Sequence, residues 1–319
     1  MDIAEASEVV NDVVGAIGEA VIADRRFFET VSMALLARGH IMLEDVPGTG
    51  KTLTARSFAD ALGLDFSRIQ FTPDLLPSDI TGTHIYNEKT KEFEFTQGPI
   101  FANVVLADEI NRAPPKTQAA LLEAMEEGQV TVAGETFELP TPFFVIATMN
   151  PVESEGVFPL PEAQLDRFIA KGTLGYPDFD GEVELLKRRA GRIAQAPTVE
   201  TVDEDLDVEG LRRAAEQVHV DEDILEYIAS VGRKSRDRPE VRLGVSPRGT
   251  QRLFEASRAR AVIEGRDFVT PDDVKWAAPP VIGHRLILTA DARVKGTDPV
   301  TIVEDILKNV PVPTVEAQS

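Results

Sequence analysis

Apolar positions recur at helical spacing through the first stretch of the chain, with Ile22, Phe27, Phe28, Val31 and Leu35 able to share one face. Residues 2–38 therefore read as helical, with a break near Val14-Gly15. Gly39 then releases the chain into a short apolar strand, 40–43. The turn residues Pro47-Gly48-Thr49-Gly50 follow, and 51–62 reads as a helix stopped by Gly63. Further strands are expected at 66–71, 104–107, 143–148 and 168–174, and a helix at 115–127. Two hairpins interrupt this order: 85–95, turning through the polar residues 87–91, and 129–139, turning at Gly134-Glu135. Strands alternating with helices over the first half imply an α/β fold with a mostly parallel sheet.

Beyond Tyr176-Pro177-Asp178 the pattern becomes helical throughout, at 182–194, 208–218, 222–231, 247–264 and 271–279. Asp221, Ser246-Pro247 and Thr270-Pro271 are start signals for the last three. The expected division is an α/β domain over 1–177 and a smaller all-helical domain over 178–319. The length of 319 residues accommodates two such units.

Composition narrows the chemistry. There is no cysteine, so disulfides, thiolate metal sites and cysteine nucleophiles are excluded, and the four histidines show no metal-ligand spacing. No apolar run approaches the roughly 20 residues of a membrane span, and no signal peptide opens the chain, so a cytoplasmic protein that does not require a membrane is expected. The formal charge of −21 counts against tight nucleic-acid binding, which draws on a basic footprint. Acid in excess, with 23 arginines but only 10 lysines, fits a high-salt cytoplasm and fits an ordinary acidic surface equally well. The basic run Arg233-Lys234-Ser235-Arg236-Asp237-Arg238 reads as a solvated loop rather than a docking patch.

The strongest chemical signal is Asp45-Val46-Pro47-Gly48-Thr49-Gly50-Lys51-Thr52, set between a strand and a helix. Consecutive backbone N–H groups of such a loop cradle phosphates at a helix N-terminus. Lys51 would neutralise the β/γ oxygens and the Thr52 hydroxyl would ligate magnesium, so ATP and Mg²⁺ are the expected ligands. The usual pattern begins with glycine where this chain has Asp45, a departure that touches the first turn only. The strand 104–107 runs into Asp108-Glu109, one carboxylate for a magnesium-bound water and one for the attacking water. A third apolar strand ends in Asn150-Pro151, read either as a polar group for phosphate and water or as a plain turn.

These three motifs in this order resemble an AAA+ ATPase. The words 107–118 (ADEINRAPPKTQ), 121–127 (LLEAMEE), 162–168 (EAQLDRF) and Ser246-Pro247-Arg248 are similar to the MoxR family specifically, and the likeness spans essentially the whole chain. The resemblance implies a P-loop AAA+ core followed by a helical lid. It implies nucleotide contacts from Pro47, Gly48, Thr49, Gly50, Lys51, Thr52 and Leu53, with Val14 and Gly15 on the adenine side. Magnesium would sit on Thr52 and Asp108, with Glu109 as the base and Asn150 as sensor 1. Arg167 would be the arginine finger for a neighbouring subunit, and Arg248 would be sensor 2, reaching the γ-phosphate of its own subunit. Arg112 is left open between a neighbour's nucleotide and a structural ion pair. The hairpins match insertions that face a central pore in related proteins, though their tips at 87–91 and 134–135 offer charged rather than aromatic side chains.

The implied function is an ATP-hydrolysing, ring-forming factor, hexameric, that remodels or matures client proteins, including proteins with a von Willebrand factor A domain. The alternative is a nucleic-acid motor or loader of the related helix-2-insert group. The acidity and the base-poor hairpin tips speak against nucleic acid as a partner.

Overall fold

The computed structural model describes residues 1–150, 156–193 and 197–313. Helix α1 (Ile3–Ala20) starts in a capping box between Asp2 and Glu5, and α2 (Arg25–Leu36) starts at Asp24, whose carboxylate accepts the Arg26 N–H. The expected break at Val14-Gly15 does not occur. Val10, Val13, Val14 and Ile17 line the buried face of α1, while Gly15 lies on its exposed side. A glycine there costs the helix only ~1 kcal/mol relative to alanine, which core packing of its neighbours offsets. The chain breaks instead at 21–24, between α1 and α2.

The central elements then follow as β1 (Ile41–Glu44), α3 (Lys51–Ala61), β2 (Phe66–Gln70), α4 (Pro77–Thr81), β3 (Gly82–Asn87), β4 (Glu92–Gln97) and β5 (Val104–Asp108). After these come α5 (Pro115–Glu127), β6 (Gln129–Val132), β7 (Glu135–Glu138), β8 (Phe144–Met149), α6 (Glu162–Leu165) and β9 (Ala170–Gly172). Five strands form one parallel sheet in the order β2-β5-β8-β1-β9, in register at Ile41↔Ile146, Ile41↔Ala170, Leu106↔Ile146 and Gln70↔Asp108. Successive strand residues alternate faces. Ile41, Leu43, Leu106 and Ile146 join the core beneath α1, α2 and α3, whereas Met42, Val105, Ala107 and Val145 join the core beneath α5. Strands buried on both faces read as continuous apolar runs, which is why they are visible in the sequence.

Parallel pairing brings every strand's C-terminal end to the same edge of the sheet. The opposite end is pinned by His40, just before β1. The backbone N–H of Val145 donates to its Nδ1 at 3.0 Å, so Nε2 carries the proton and donates to the Met125 carbonyl at 3.0 Å. The end of α5 therefore lies where the strands begin.

The remaining elements are α7 (Phe179–Ala190), α8 (Val208–Gln217), α9 (Glu222–Arg236), β10 (Val241–Leu243), α10 (Pro247–Ile263), α11 (Pro271–Ile282), β11 (Ile287–Leu288), α12 (Ala290–Val294) and α13 (Pro299–Asn309). This half is helical apart from the small antiparallel pair β10-β11. Helix α7 starts before 182 because Asp178 caps Gly181 N–H at 2.8 Å; residue 194, where it was expected to stop, lies outside the described residues. Helix α11 passes through Pro279 and Pro280, and α13 was not anticipated, although Asp298-Pro299 is a start signal and Ile302, Val303 and Ile306 bury one face. The basic run is no solvated loop: α9 extends through Arg236, whose Nε donates to Val245 O, and Arg238 pairs with Glu240 and Asp305. One apolar cluster runs unbroken from α1–α3 into α8–α11, so the helical half shares a core with the sheet. Among the described residues, no helix is long and apolar enough to cross a membrane.

Candidate active site

Between β1 and α3 the backbone takes two left-handed steps, at Gly48 (φ 86°) and Gly50 (φ 97°). A side chain at either position would be strained, so the loop needs glycine there. Gly50 caps α3 without any side-chain hydrogen bond, leaving the first-turn N–H groups of Lys51 and Thr52 outside the helical ladder. A helix N-terminus presented in this way is an anion site. Lys51 Nζ donates to the carbonyls of Asp45 (2.8 Å) and Val46 (3.0 Å), and Thr49 Oγ1 donates to Val46 O at 3.3 Å. Pro47 and Gly48 are exposed, whereas Leu53 packs on the core.

Asp108 and Glu109 stand at the end of β5, two strands from the loop. Asp108 is buried; its Oδ1 accepts the Thr148 hydroxyl at 2.6 Å and its Oδ2 pairs with Arg68 at 2.5 Å. Thr148 in turn accepts the backbone N–H of Glu109 at 2.8 Å. Glu109 has a left-handed backbone (φ 57°), which aims its side chain away from the strand direction. Its Oε2 accepts from the Gln70 amide (2.9 Å) and the Arg112 guanidinium (3.0 Å). Arg112 thus has a structural ion pair within its own chain. Asn150 is buried directly after β8, whose last carbonyl, Met149 O, accepts the Asp45 N–H at 3.2 Å. Pro151 lies outside the described residues. The phosphate loop, the acid pair and Asn150 therefore converge on one edge of the sheet.

Two arginines gather at the other edge. Arg167, between α6 and β9, pairs with Glu126 at 3.0 Å and donates to Leu122 O. Arg248, in the first turn of α10, pairs with the other oxygen of the same Glu126 at 3.2 Å. Glu126 follows Met125, whose carbonyl His40 holds at the start of β1. Arg248 therefore stands away from its own phosphate loop, whereas the resemblance set it at the γ-phosphate of its own subunit. The segment beside Arg167 is fixed to the helical half by Arg285, which donates to Asp166 Oδ1 (2.7 Å) and to the carbonyls of Phe168 (2.6 Å) and Ile169 (3.1 Å). Burial draws the Arg285 pKa down to about 10, with Asp166 opposing the shift.

Val14 and Gly15 also need correction. Val14 is a core residue of an unbroken helix, and the gap between α1 and α2 falls at 21–24. Asp24 there lines a cavity of about 580 Å³ with Glu44 at the end of β1 and Pro279 and His284 from the helical half. Arg68, Gln70, Thr148 and Glu126 were not singled out in the sequence. The polar Arg68 and Gln70, two apart and therefore on one face of β2, were the available signal for two of them. Beside the hairpin tip, Tyr86 and Phe93 form an edge-to-face pair, 50% and 69% exposed, so the insertion does offer aromatic surface.

Comparison with known proteins gives the family and the fold. The ATPase family associated with various cellular activities (AAA) matches residues 40–170, and an AAA lid domain matches residues 233–306. The chain is 51% identical to the uncharacterized protein YeaC of Bacillus subtilis over 92% of each chain. It is 42% identical to chaperone MoxR1 of Mycobacterium tuberculosis over 93% of this chain and 80% of that one. A crystal structure from Cytophaga hutchinsonii, assigned as an ATPase, superposes with a TM-score of 0.90 at 38% identity, covering 97% of this chain and 96% of the other. Fold and site together define an ATP-hydrolysing P-loop protein of the AAA+ class. Within that class, the chain belongs to the MoxR family.

Proposed function

We propose that this ATPase works as a closed ring, most simply a hexamer, in which each nucleotide is held by one subunit and completed by the next, and that the ring remodels client proteins. The observation that carries the reading is the meeting of Arg167 and Arg248 on Glu126, at the sheet edge opposite their own phosphate loop. Neither guanidinium faces its own Lys51, Asp108 or Glu109, whereas a head-to-tail neighbour would receive both. Head-to-tail contacts that close on themselves give rings.

Within one subunit, Pro47 to Leu53 form the phosphate loop and its helix. Lys51 exchanges its two carbonyl partners for the β/γ oxygens. Thr52 and Asp108 would offer the hard oxygen donors that suit magnesium, the Asp108 carboxylate being held in place by Thr148 and Arg68. Magnesium, when bound, neutralises charge that develops on the phosphates. Glu109 takes the proton of the water that attacks the γ-phosphorus, the bond from that phosphorus to the β–γ bridging oxygen breaks so that ADP and phosphate leave, and Asn150 orients the water. The neighbour's Arg167 and Arg248 stabilise the charge of the transition state, a contribution that can reach ~10³–10⁵ in rate for a guanidinium supplied in trans.

We place the functional division near residue 177 and the work in the cytoplasm. The client is a protein, recognised in part by the aromatic face of β3-β4, and proteins with a von Willebrand factor A domain fit the role. The relative named chaperone MoxR1 supports client work. Two measurements test the proposal. Mass photometry with ATP should show a multiple near six, and Glu109→Gln locked in ATP should retain a partner that Lys51→Ala does not. A particle that stays monomeric with ATP while hydrolysing it at a rate per chain independent of concentration would overturn the ring.

A further inference from the structure

The phosphate loop opens with Asp45 where glycine is usual, and the structure gives this carboxylate a partner outside the loop. Asp45 is 4% exposed. Its Oδ2 accepts the backbone N–H of Leu174 at 2.5 Å and its Oδ1 accepts that of Gly175 at 2.9 Å. These two residues form the link from β9, the last strand of the sheet, towards Asp178, which caps α7 and begins the helical half. The carbonyl of the same Asp45 accepts Lys51 Nζ at 2.8 Å, and its N–H donates to Met149 O at the end of β8, next to Asn150. One buried residue therefore touches the phosphate-binding lysine, the strand that carries Asn150, and the link between the two halves.

We infer that Asp45 is a positioning residue that couples occupation of the phosphate loop to the seating of the helical half. The link at Leu174-Gly175 is held by nothing more flexible than a carboxylate with both oxygens engaged, in charge-assisted bonds of the stronger kind. When Lys51 turns to phosphate, it leaves the Asp45 and Val46 carbonyls, and the loop's first turn resettles. The rigid carboxylate passes that movement to the backbone N–H groups at 174 and 175. The helical half carries Arg248 and, through Arg285, grips the Arg167 segment, so its seating decides where both arginines stand. A glycine at 45 would leave the loop's phosphate-facing N–H groups in place but would remove the carboxylate that holds the backbone N–H groups of Leu174 and Gly175, leaving only the packing of Leu174 on the core.

Two variants separate coupling from binding. Asp45→Asn keeps shape but sets an amide N–H against one of the two backbone donors. Gly175→Ala leaves the phosphate loop untouched; Gly175 has φ 72° with open space around a Cβ, so the change strains only the backbone that aims its N–H. The chain has no cysteine, so a single dye pair can be placed at Glu123→Cys on α5 and Lys295→Cys after α12, both exposed. Energy transfer is read with and without a non-hydrolysable ATP analogue, whose affinity is measured in parallel. Both variants are expected to bind the analogue within about threefold of the parent, to lose more than half of the transfer change, and to lower kcat by about 10–100-fold with KM little altered. If Asp45→Asn does not fold, Gly175→Ala decides alone. The inference is overturned if the parent shows no nucleotide-dependent change, if the folded variants keep its full amplitude, or if Asp45→Asn loses binding while Gly175→Ala behaves as the parent. The coupling concerns one subunit's two halves, so a failure of the ring in the assembly measurement leaves this test standing.

Discussion

Glu109 is held by two donors, Gln70 and Arg112, on a single oxygen, which fixes where its carboxylate stands. Glu109→Gln keeps the shape of the site and removes only the base. ATP binding should remain within a few-fold, and turnover should fall by about 10²–10⁴, the usual range for such a group. Lys51→Ala should instead abolish binding, because the phosphates lose their point charge. Isothermal titration alongside a phosphate-release assay distinguishes the two; Glu109→Gln at the parental rate would remove Glu109 as the base. His40 gives a second test at this scale. Burial lowers its pKa from the usual value near 6.5 to about 4, and the neutral ring accepts from Val145 while donating to Met125. The folded chain refuses a proton that the unfolded chain takes up near 6.5. Stability from this residue is thus complete above pH 6.5 and drains as pH falls towards 4, on the order of 3 kcal/mol at most. The His40 imidazole resonances should show no titration between pH 7 and 5; a midpoint near 6.5 would contradict the placement.

At the scale of elements, what the sequence discloses follows from burial. Val104–Asp108 and Phe144–Met149 are covered on both faces and announce themselves as apolar runs. Helix α5 appears at its predicted bounds because Pro115 starts it and Gly128, in a left-handed cap, ends it. The break near Val14-Gly15 was misplaced because a lone glycine resembles a stop while its buried neighbours hold the helix. The position of Arg248 was illegible for a different reason. It depends on how the helical half packs on the sheet, through Arg285 and Asp166, which are distant in the chain. The two hairpins also meet through tertiary contact: Phe95 of β4 stacks on Phe137 of β7 with centroids 3.9 Å apart, and His84 lies against both rings. A double-mutant cycle of Phe95→Leu with Phe137→Leu should give a coupling of about 0.5–1.5 kcal/mol in unfolding free energy. Additive losses would mean that the hairpins stand independently.

For the whole molecule, the charge of −21 is a self-repulsion that salt relieves. The Debye length falls from ~10 Å at 0.1 M to ~3 Å at 1 M, so the melting temperature should climb by several degrees across that range if the acidity is an adaptation to salt. A flat response would mark it as an ordinary solvated surface. The larger question is whether one chain suffices for catalysis, and mixing variants answers it. Arg167→Ala keeps the base and lacks the finger, whereas Glu109→Gln keeps the finger and lacks the base. Each alone should bind ATP and hydrolyse it poorly. In an equimolar mixture, a site is complete where an Arg167→Ala subunit is followed by a Glu109→Gln subunit. Random assembly makes about a quarter of the sites so, and roughly that share of parental activity should return. Parental activity in Arg167→Ala alone, or no gain on mixing two variants that both bind ATP and assemble, would contradict completion of the site by a neighbour.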